Sequence, residues 1–219
     1  MSDHRTRFLQ LALEADALRF GQFTLKSGRV SPYFFNAGRF DSGASLAALA
    51  ECYADAIDAA GLQFDLLFGP AYKGIPLATA LACAYARRGR DLPLAFNRKE
   101  AKAHGEGGSL IGAPLAGRRV LVVDDVITAG TAIRQALEFI AGEGGTMAGI
   151  VVALDRQEIA ADGDRRSAAQ AVAAQAAVPV HAVAGLADLL AFAAGNDKLA
   201  AYHAPLRAYR DQYGCDATD

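Results

Sequence analysis

The sequence has no apolar run long enough to span a bilayer. Hydrophobic residues make up 53% of the 219, yet no stretch approaches the roughly 20 consecutive apolar residues that a membrane helix needs. Residues 1–5 lead into an amphipathic helical pattern rather than into a cleavable signal peptide. We therefore expect a protein that neither spans nor binds a membrane.

Cysteine is scarce and shows no pairing pattern. The three cysteines, Cys52, Cys83 and Cys215, are scattered and include no Cys-x-x-Cys motif. This spacing argues against a disulfide framework and against structural zinc, and it favours a reducing compartment. Cys52 and Cys83 lie in helical patterns, so we expect both in the core. We expect a cytoplasmic protein.

The sequence also lacks a large excess of either charge. Its formal net charge is −2 at pH 7, which leaves no basic surplus for general nucleic-acid binding. Internal repeats and composition breaks are absent as well. A length of 219 residues suits one well-buried α/β domain, and we expect a single domain over residues 1–219.

The most informative stretch runs from Val120 to Ala132. It opens with four apolar, mostly β-branched residues, which is typical of a strand buried on both faces of a parallel sheet. Asp124 and Asp125 follow, and the small-residue turn at 128–131 leads into a helix. Free N–H groups at a helix start can bind phosphate, and acids beyond a parallel strand can hold ribose hydroxyls. Taken alone, the two acids could equally be ordinary strand-end residues.

Two other loops carry cationic residues that could bind the same phosphorylated ligand. Ligands of parallel sheets bind beyond the carboxyl ends of the strands, so loops that follow strands should converge on one cleft. The loop at 69–74 carries Lys73, which could reach a diphosphate or could be an ordinary exposed lysine. The segment 98–108 places four potential cations within seven residues and then three glycines. It predicts a mobile lid over the site, with a plain solvated loop as the alternative.

Arg156 follows another predicted strand. Its planar guanidinium suits a carboxylate ligand. The alternative is a surface ion pair with Asp155 or Glu158, which would contribute little energy.

Alternating strand and helix patterns predict an α/β fold with a central, mostly parallel sheet flanked by helices. We expect a helix and hairpin cap over 1–61, the core sheet over 62–183 and helices over 184–219. Leu18 continues the apolar face of the first helix. Pro205 is expected in the first turn of a restarted helix, and a kink within one last helix is the open alternative. The predicted hairpin strands cover 22–26 and 30–36, and the predicted core strands cover 64–68, 94–96, 120–123, 150–154 and 178–183.

Four segments together resemble the bacterial orotate phosphoribosyltransferases, which belong to the type I phosphoribosyltransferase family. The segments are Thr24–Asn36, Gly69–Pro76, Phe96–Gly105 and Val120–Ala132. Asp155–Glu158 and Arg207–Tyr213 are also similar, so the resemblance covers essentially the whole chain. The first and third segments point to orotate rather than to phosphoribosyl transfer in general.

The resemblance implies the type I phosphoribosyltransferase fold, with an N-terminal cap and a flexible lid loop. It implies transfer of ribose 5-phosphate from 5-phosphoribosyl 1-diphosphate (PRPP) to N1 of orotate, giving orotidine 5′-monophosphate and pyrophosphate. This reaction belongs to pyrimidine (UMP) biosynthesis and uses Mg²⁺. The resemblance further implies a homodimer in which each lid serves the neighbouring subunit's site.

The resemblance also implies a role for each matched residue. The ribose and its 5′-phosphate are assigned to Asp124, Asp125, Val126, Ile127, Thr128, Ala129, Gly130, Thr131 and Ala132. PRPP or pyrophosphate is assigned to Lys26, Tyr72, Lys73, Arg98, Lys99, Lys102 and His104. Orotate is assigned to Phe34, Phe35, Thr128 and Arg156, with Arg156 facing its carboxylate. The catalytic set is Lys73, Lys102, His104, Asp124 and Asp125, with Lys102 as the main lid residue. Mg²⁺ is expected to arrive mainly with PRPP, near Asp124 and Asp125.

Two alternatives remain open from the sequence. One is a phosphoribosyltransferase for uracil or a purine, against which Arg156 and the segment 26–35 argue because they suit an anionic pyrimidine. The other is a PRPP-sensing regulator that binds nucleic acid. The net charge of −2 and the lack of a spare domain argue against this second alternative.

Overall fold

The chain begins with a helix and a hairpin in the computed structural model, which describes residues 3–25, 27–98, 109–127, 130–159 and 165–215. Helix α1 (His4–Glu14) precedes strands β1 (Leu18–Thr24) and β2 (Val30–Phe35), which pair antiparallel and confirm the predicted hairpin. Leu18 was expected on the helix, and that prediction is wrong. The helix ends early because Asp16 has φ 55° and the Ala17 N–H bonds back to the Ala12 carbonyl at 2.8 Å.

Six further strands form the central sheet. They are β3 (Leu66–Gly69), β4 (Leu94–Asn97), β5 (Leu110–Gly112), β6 (Arg119–Asp124), β7 (Thr146–Asp155) and β8 (Val180–Gly185). Their order is β5-β4-β3-β6-β7-β8. Among these described strands, β5 alone runs antiparallel to its neighbour. The mostly parallel sheet is therefore confirmed, whereas the short edge strand β5 was not predicted.

Helices cover both faces of this sheet. They are α2 (Gly43–Ala59), α3 (Gly74–Arg87), α4 (Thr131–Gly142), α5 (Ala168–Ala176), α6 (Leu186–Ala194) and α7 (Ala200–Tyr213). Strand side chains alternate between the two faces. Leu121 and Val123 accordingly pack with α2 and α3, while Val120 and Val122 pack with α4 and α5.

Two expectations about helices are wrong. Pro205 lies inside α7 rather than in its first turn. The side chain of Pro205 is exposed, and Tyr202 before it and Leu206 after it both pack on the body of the protein. The helix thus continues through Pro205 although a proline cannot donate a backbone hydrogen bond. Cys83 is exposed because the buried face of α3 is formed by other residues, among them Leu77, Leu81 and Ala84.

Among the described residues, every helix is too short or too polar to cross a membrane.

Candidate active site

Two buried acids mark the carboxyl end of β6. Asp124 is the last residue of the strand, and its Oδ1 accepts the backbone N–H of Asp125 at 2.9 Å. Asp125 repeats the arrangement, because its Oδ1 accepts the N–H of Val126 at 2.9 Å. The Tyr53 hydroxyl donates to the Asp124 carbonyl at 2.8 Å. The backbone thus holds one oxygen of each carboxylate and leaves the other oxygen to a side chain or a ligand.

The environment of Asp124 disfavours its charged form. Burial first, and then the neighbouring Asp125 carboxylate, raise the pKa of Asp124 from 3.8 to about 7. A hydroxyl donor or a cation placed beside this carboxylate would favour its ionised form. The pair is therefore suited to accept hydrogen bonds from a polyhydroxylated or metal-bound ligand.

The loop after β3 contacts the second of these acids. Lys73 Nζ donates to Asp125 Oδ2 at 2.7 Å, although more than half of the lysine side chain is exposed. The structure thus brings together Lys73 and Asp125, which the sequence placed at the ends of different strands. A carboxylate and a mobile ammonium at one point can hold both the hydroxyls and the phosphate oxygens of a sugar phosphate.

Close backbone contacts fix this loop against the sheet. A Cβ on Gly69 would lie 2.4 Å from the carbonyl oxygen of Gly74, and a Cβ on Gly74 would lie 2.6 Å from that of Val123. Only glycine fits at either position. The peptide between Ala71 and Tyr72 is cis, and the Ala71 N–H donates to Asn97 Oδ1 at 3.0 Å. The ends of β3, β4 and β6 are thereby joined.

The start of α4 lies beside the acids and offers free amides. Gly130 precedes the helix with φ 68°, and a Cβ there would lie 2.6 Å from Val172 Cγ2. Within the described part of the chain, no side chain caps this helix start. The first-turn N–H groups, beginning at Thr131 and Ala132, can therefore bind a phosphate. Ile127 is packed in the core and offers only its backbone.

Arg156 follows β7, whose carboxyl end lies at the same edge of the sheet. Its Nε and Nη2 donate to Glu158 Oε1 at 2.8 and 2.6 Å, and its guanidinium lies 4.5 Å from the centre of the Tyr33 ring. The alternative ion pair with Glu158 is present. It is not a surface pair, because the Arg156 and Glu158 side chains are only 18% and 12% exposed.

Phe34 and Phe35 do not form a common surface. They are neighbours in β2, so their side chains point to opposite faces. Phe34 packs against Phe23 at 5.5 Å between ring centres, and Phe35 packs against Phe8 at 5.9 Å. At most one of the two rings can contact a given ligand.

Comparison with known proteins decides the family. Residues 40–166 match the phosphoribosyl transferase domain. The chain is 80% identical, over the full length of both proteins, to orotate phosphoribosyltransferase of Xanthomonas euvesicatoria pv. vesicatoria (strain 85-10). The chain belongs to the orotate phosphoribosyltransferase family. The resemblance inferred from sequence motifs is thereby confirmed.

Solved structures of other orotate phosphoribosyltransferases share the fold. The enzyme of Francisella tularensis superimposes with a TM-score of 0.85 at 42% identity, over 94% of this chain and 98% of that one. The enzyme of Mycobacterium tuberculosis in complex with PRPP gives a TM-score of 0.64 at 25% identity, over 85% of this chain and 98% of that one. The predicted type I phosphoribosyltransferase fold is confirmed.

Several residues assigned by resemblance to orotate phosphoribosyltransferases lie outside the described residues. They are Lys26, Lys99, Lys102, His104, Thr128 and Ala129. Arg98 is described and half-buried, and its N–H donates to the Ser109 carbonyl at 2.7 Å. Tyr72 is 65% exposed in the loop beside Lys73.

Three contact residues in this orotate phosphoribosyltransferase site were missed from the sequence. Tyr53 was predicted only as a core residue of α2, and no local signal reveals its hydroxyl bond to the Asp124 carbonyl. Asn97 gives a weak signal, because it is an amide side chain at the end of a strand. Glu158 was considered only as a surface partner of Arg156.

Proposed function

We propose that this protein transfers ribose 5-phosphate from PRPP to N1 of orotate, giving orotidine 5′-monophosphate and pyrophosphate. The contact between Lys73 and Asp125, at the end of the strand that leads into α4, is the observation that carries this proposal. It combines an acid for ribose hydroxyls, a cation for a diphosphate and amides for a 5′-phosphate. Arg156 supplies the cation that the carboxylate of orotate requires.

The reaction exchanges one bond at C1 of the ribose for another. The bond from C1 to the pyrophosphate oxygen breaks with its electron pair on the oxygen, and N1 of orotate supplies the pair for the new bond. The proton on N1 passes to the departing pyrophosphate. Lys73 stabilises the leaving charge, and each such donor is worth roughly 3–4 kcal/mol in comparable sites. Asp124 and Asp125 fix the ribose and oppose the positive charge that develops at C1. Lys102 and His104, outside the described residues, are proposed to complete the cationic shell.

The donor set fits Mg²⁺ that is bound mainly through the substrate. Asp124 and Asp125 offer hard carboxylate oxygens, which suit this cation. No cluster of three or more histidine, cysteine or acidic residues occurs in the described ranges that could form a protein cage. When bound, Mg²⁺ would neutralise diphosphate charge, and the two acids would hold it near the ribose.

The proposal extends to the assembly. We infer a cytoplasmic homodimer of single-domain subunits in which the segment 98–108 of one subunit covers the site of the other. Arg98 and Ser109 support the lid function, because their backbone bond of 2.7 Å brings the two ends of the segment together.

The test is consumption of orotate in the presence of PRPP and Mg²⁺, followed by the loss of orotate absorbance. Uracil, adenine and hypoxanthine serve as parallel substrates at the same concentration. We expect turnover of orotate and little of the others. A folded protein that leaves orotate untouched, or that prefers another base, contradicts the proposal.

A further inference from the structure

We propose that Glu158 is a positioning residue that orients Arg156 for the anionic base and so helps to determine base specificity. The inference rests on the proposed function, because it concerns how Arg156 is presented to the carboxylate of orotate. Glu158 itself is not expected to contact the substrate.

Hydrogen bonds occupy one edge of the Arg156 guanidinium. Glu158 Oε1 accepts from both Nε and Nη2, and Ser31 Oγ accepts from Nη2 at 3.3 Å. These hydrogen bonds use Nε and Nη2 of Arg156. The Tyr33 ring, 4.5 Å from the guanidinium carbon, supports one flat side of the group. A planar fork with one edge fixed presents its remaining donors in a defined direction, as recognition of a carboxylate requires.

Arg156, Arg29 and Glu158 form a cluster that contains two positive charges and one negative charge. Arg29 Nη1 lies 3.8 Å from Glu158 Oε2, so two guanidinium groups share one carboxylate. The Arg29 side chain is 15% exposed, so all three charges are mostly buried. Asp155 lies nearby, but among the described residues its carboxylate accepts the Gln157 N–H and the Ser167 hydroxyl and forms no ion pair with either arginine. Two mostly buried arginines that share one carboxylate can therefore be stabilised further by the carboxylate of a ligand.

Two tyrosines complete the surroundings of Glu158. The Tyr33 hydroxyl donates to Glu158 Oε1 at 3.4 Å. Tyr209 packs edge-to-face on Tyr33 at 6.3 Å, and its buried hydroxyl has no hydrogen-bond partner in the described part of the chain. Among the described residues, the side chains of Arg156, Arg29 and Tyr33 thus all contact Glu158.

The backbone between Arg156 and Glu158 is tightly anchored. Gln157 adopts φ 51°, and its N–H donates to Asp155 Oδ1 at 2.9 Å. Its side-chain oxygen accepts the Ala187 N–H at the start of α6, and its carbonyl accepts the Cys215 N–H, both at 2.8 Å. The segment is thus tied to α6 and to the residues after α7. This anchoring fixes the position of Glu158 relative to Arg156.

The experiment is steady-state kinetics on the full-length protein with Glu158→Gln. The amide keeps the shape of the side chain and one acceptor but removes the charge. We expect the KM for orotate to rise about tenfold or more, as losses of such outer partners commonly do. The KM for PRPP should stay within about twofold, since uniform damage would move both constants.

Two comparisons separate positioning from a structural role. Glu51→Gln is the matched control, because Glu51 also pairs with arginines, Arg87 and Arg88, but on α2 and α3. It should leave both KM values unchanged. In an Arg156→Ala background, Glu158→Gln should cause no further loss, because a residue that acts through Arg156 cannot act without it.

Several outcomes overturn the inference while the wild type still consumes orotate. They are an unchanged or lower KM for orotate in Glu158→Gln, equal rises in both KM values, or additive losses in the double variant. If Glu158→Gln does not fold, Ser31→Ala removes the other acceptor of Nη2 and should raise the KM for orotate by a smaller factor. An unchanged KM in that variant overturns the inference. A wild-type protein without orotate turnover contradicts the proposed function instead, and the inference falls with it.

Discussion

Replacing Asp124 with asparagine should stabilise the protein above neutral pH. Burial and the neighbouring Asp125 raise the pKa of Asp124 to about 7 in the folded protein, against 3.8 for an ordinary aspartate. The folded state therefore binds the proton more tightly than the unfolded state does. The contribution of Asp124 to the free energy of unfolding therefore falls as the pH rises from about 4 to about 7, and it is constant above that range. Asparagine does not titrate, so its contribution to stability does not depend on pH, and its side-chain oxygen can still accept the Asp125 N–H.

The expected gain follows from the two pKa values. Each pH unit between them is worth about 1.36 kcal/mol, so the ionised carboxylate costs about 4 kcal/mol above pH 7. Part of this cost is already present at pH 5. Between pH 5 and pH 8, the advantage of Asp124→Asn over the wild type should grow by about 2–3 kcal/mol. The same change should abolish phosphoribosyl transfer, because the acid that we propose to hold the ribose is lost.

The assay is urea denaturation followed by circular dichroism, at one protein concentration and without PRPP or Mg²⁺. Asp65→Asn is the control, because the Arg119 guanidinium lowers the pKa of Asp65 to about 2. That variant should be less stable than the wild type by an amount that stays constant from pH 5 to pH 8. Parallel stability curves for the wild type and Asp124→Asn over this range would refute the reasoning.

Three further predictions test other parts of the account. Gly130→Ala should lower the free energy of unfolding by about 1–3 kcal/mol, because alanine is strained at φ 68° and its Cβ would overlap Val172; an unchanged thermal midpoint argues against this. Arg88→Ala removes ion pairs to three acids of α2 and should cost about 1 kcal/mol or less, with a smaller effect at high salt; a loss that is independent of salt contradicts the electrostatic origin. Lys102→Ala and Asp125→Asn proteins, each nearly inactive, should regain activity after subunit exchange, because a mixed dimer contains one site with both lesions and one with neither. Failure to recover despite demonstrated exchange excludes a lid shared between subunits.

The sequence predicted those parts of the protein that depend on local patterns. The apolar run at 120–123 identified β6, and the acids that follow it lie at the end of that strand, where Asp125 contacts Lys73. The three-and-four spacing of Ile133, Ala136 and Ile140 identified α4, and all three are buried. Such patterns report periodicity and turn chemistry, which are properties of neighbouring residues.

The missed features depend on contacts between distant positions. Tyr53 is 71 residues from the Asp124 carbonyl that it contacts, and Tyr33 is 125 residues from Glu158. Pro205 was misplaced for a related reason. Local rules end a helix at proline, whereas packing of α7 on the body of the protein keeps this helix continuous. Tertiary packing decided each of these cases, and a single sequence carries no direct signal for it.

The most direct test of the account compares orotate and uracil as substrates of the wild type and of Arg156→Ala. Uracil lacks the carboxylate, so the ratio of the two kcat/KM values measures recognition of that group. We predict a strong preference for orotate in the wild type and loss of most of that preference in Arg156→Ala, with the KM for PRPP little changed. Full retention of the orotate preference in Arg156→Ala would contradict the proposal that Arg156 binds the carboxylate of orotate.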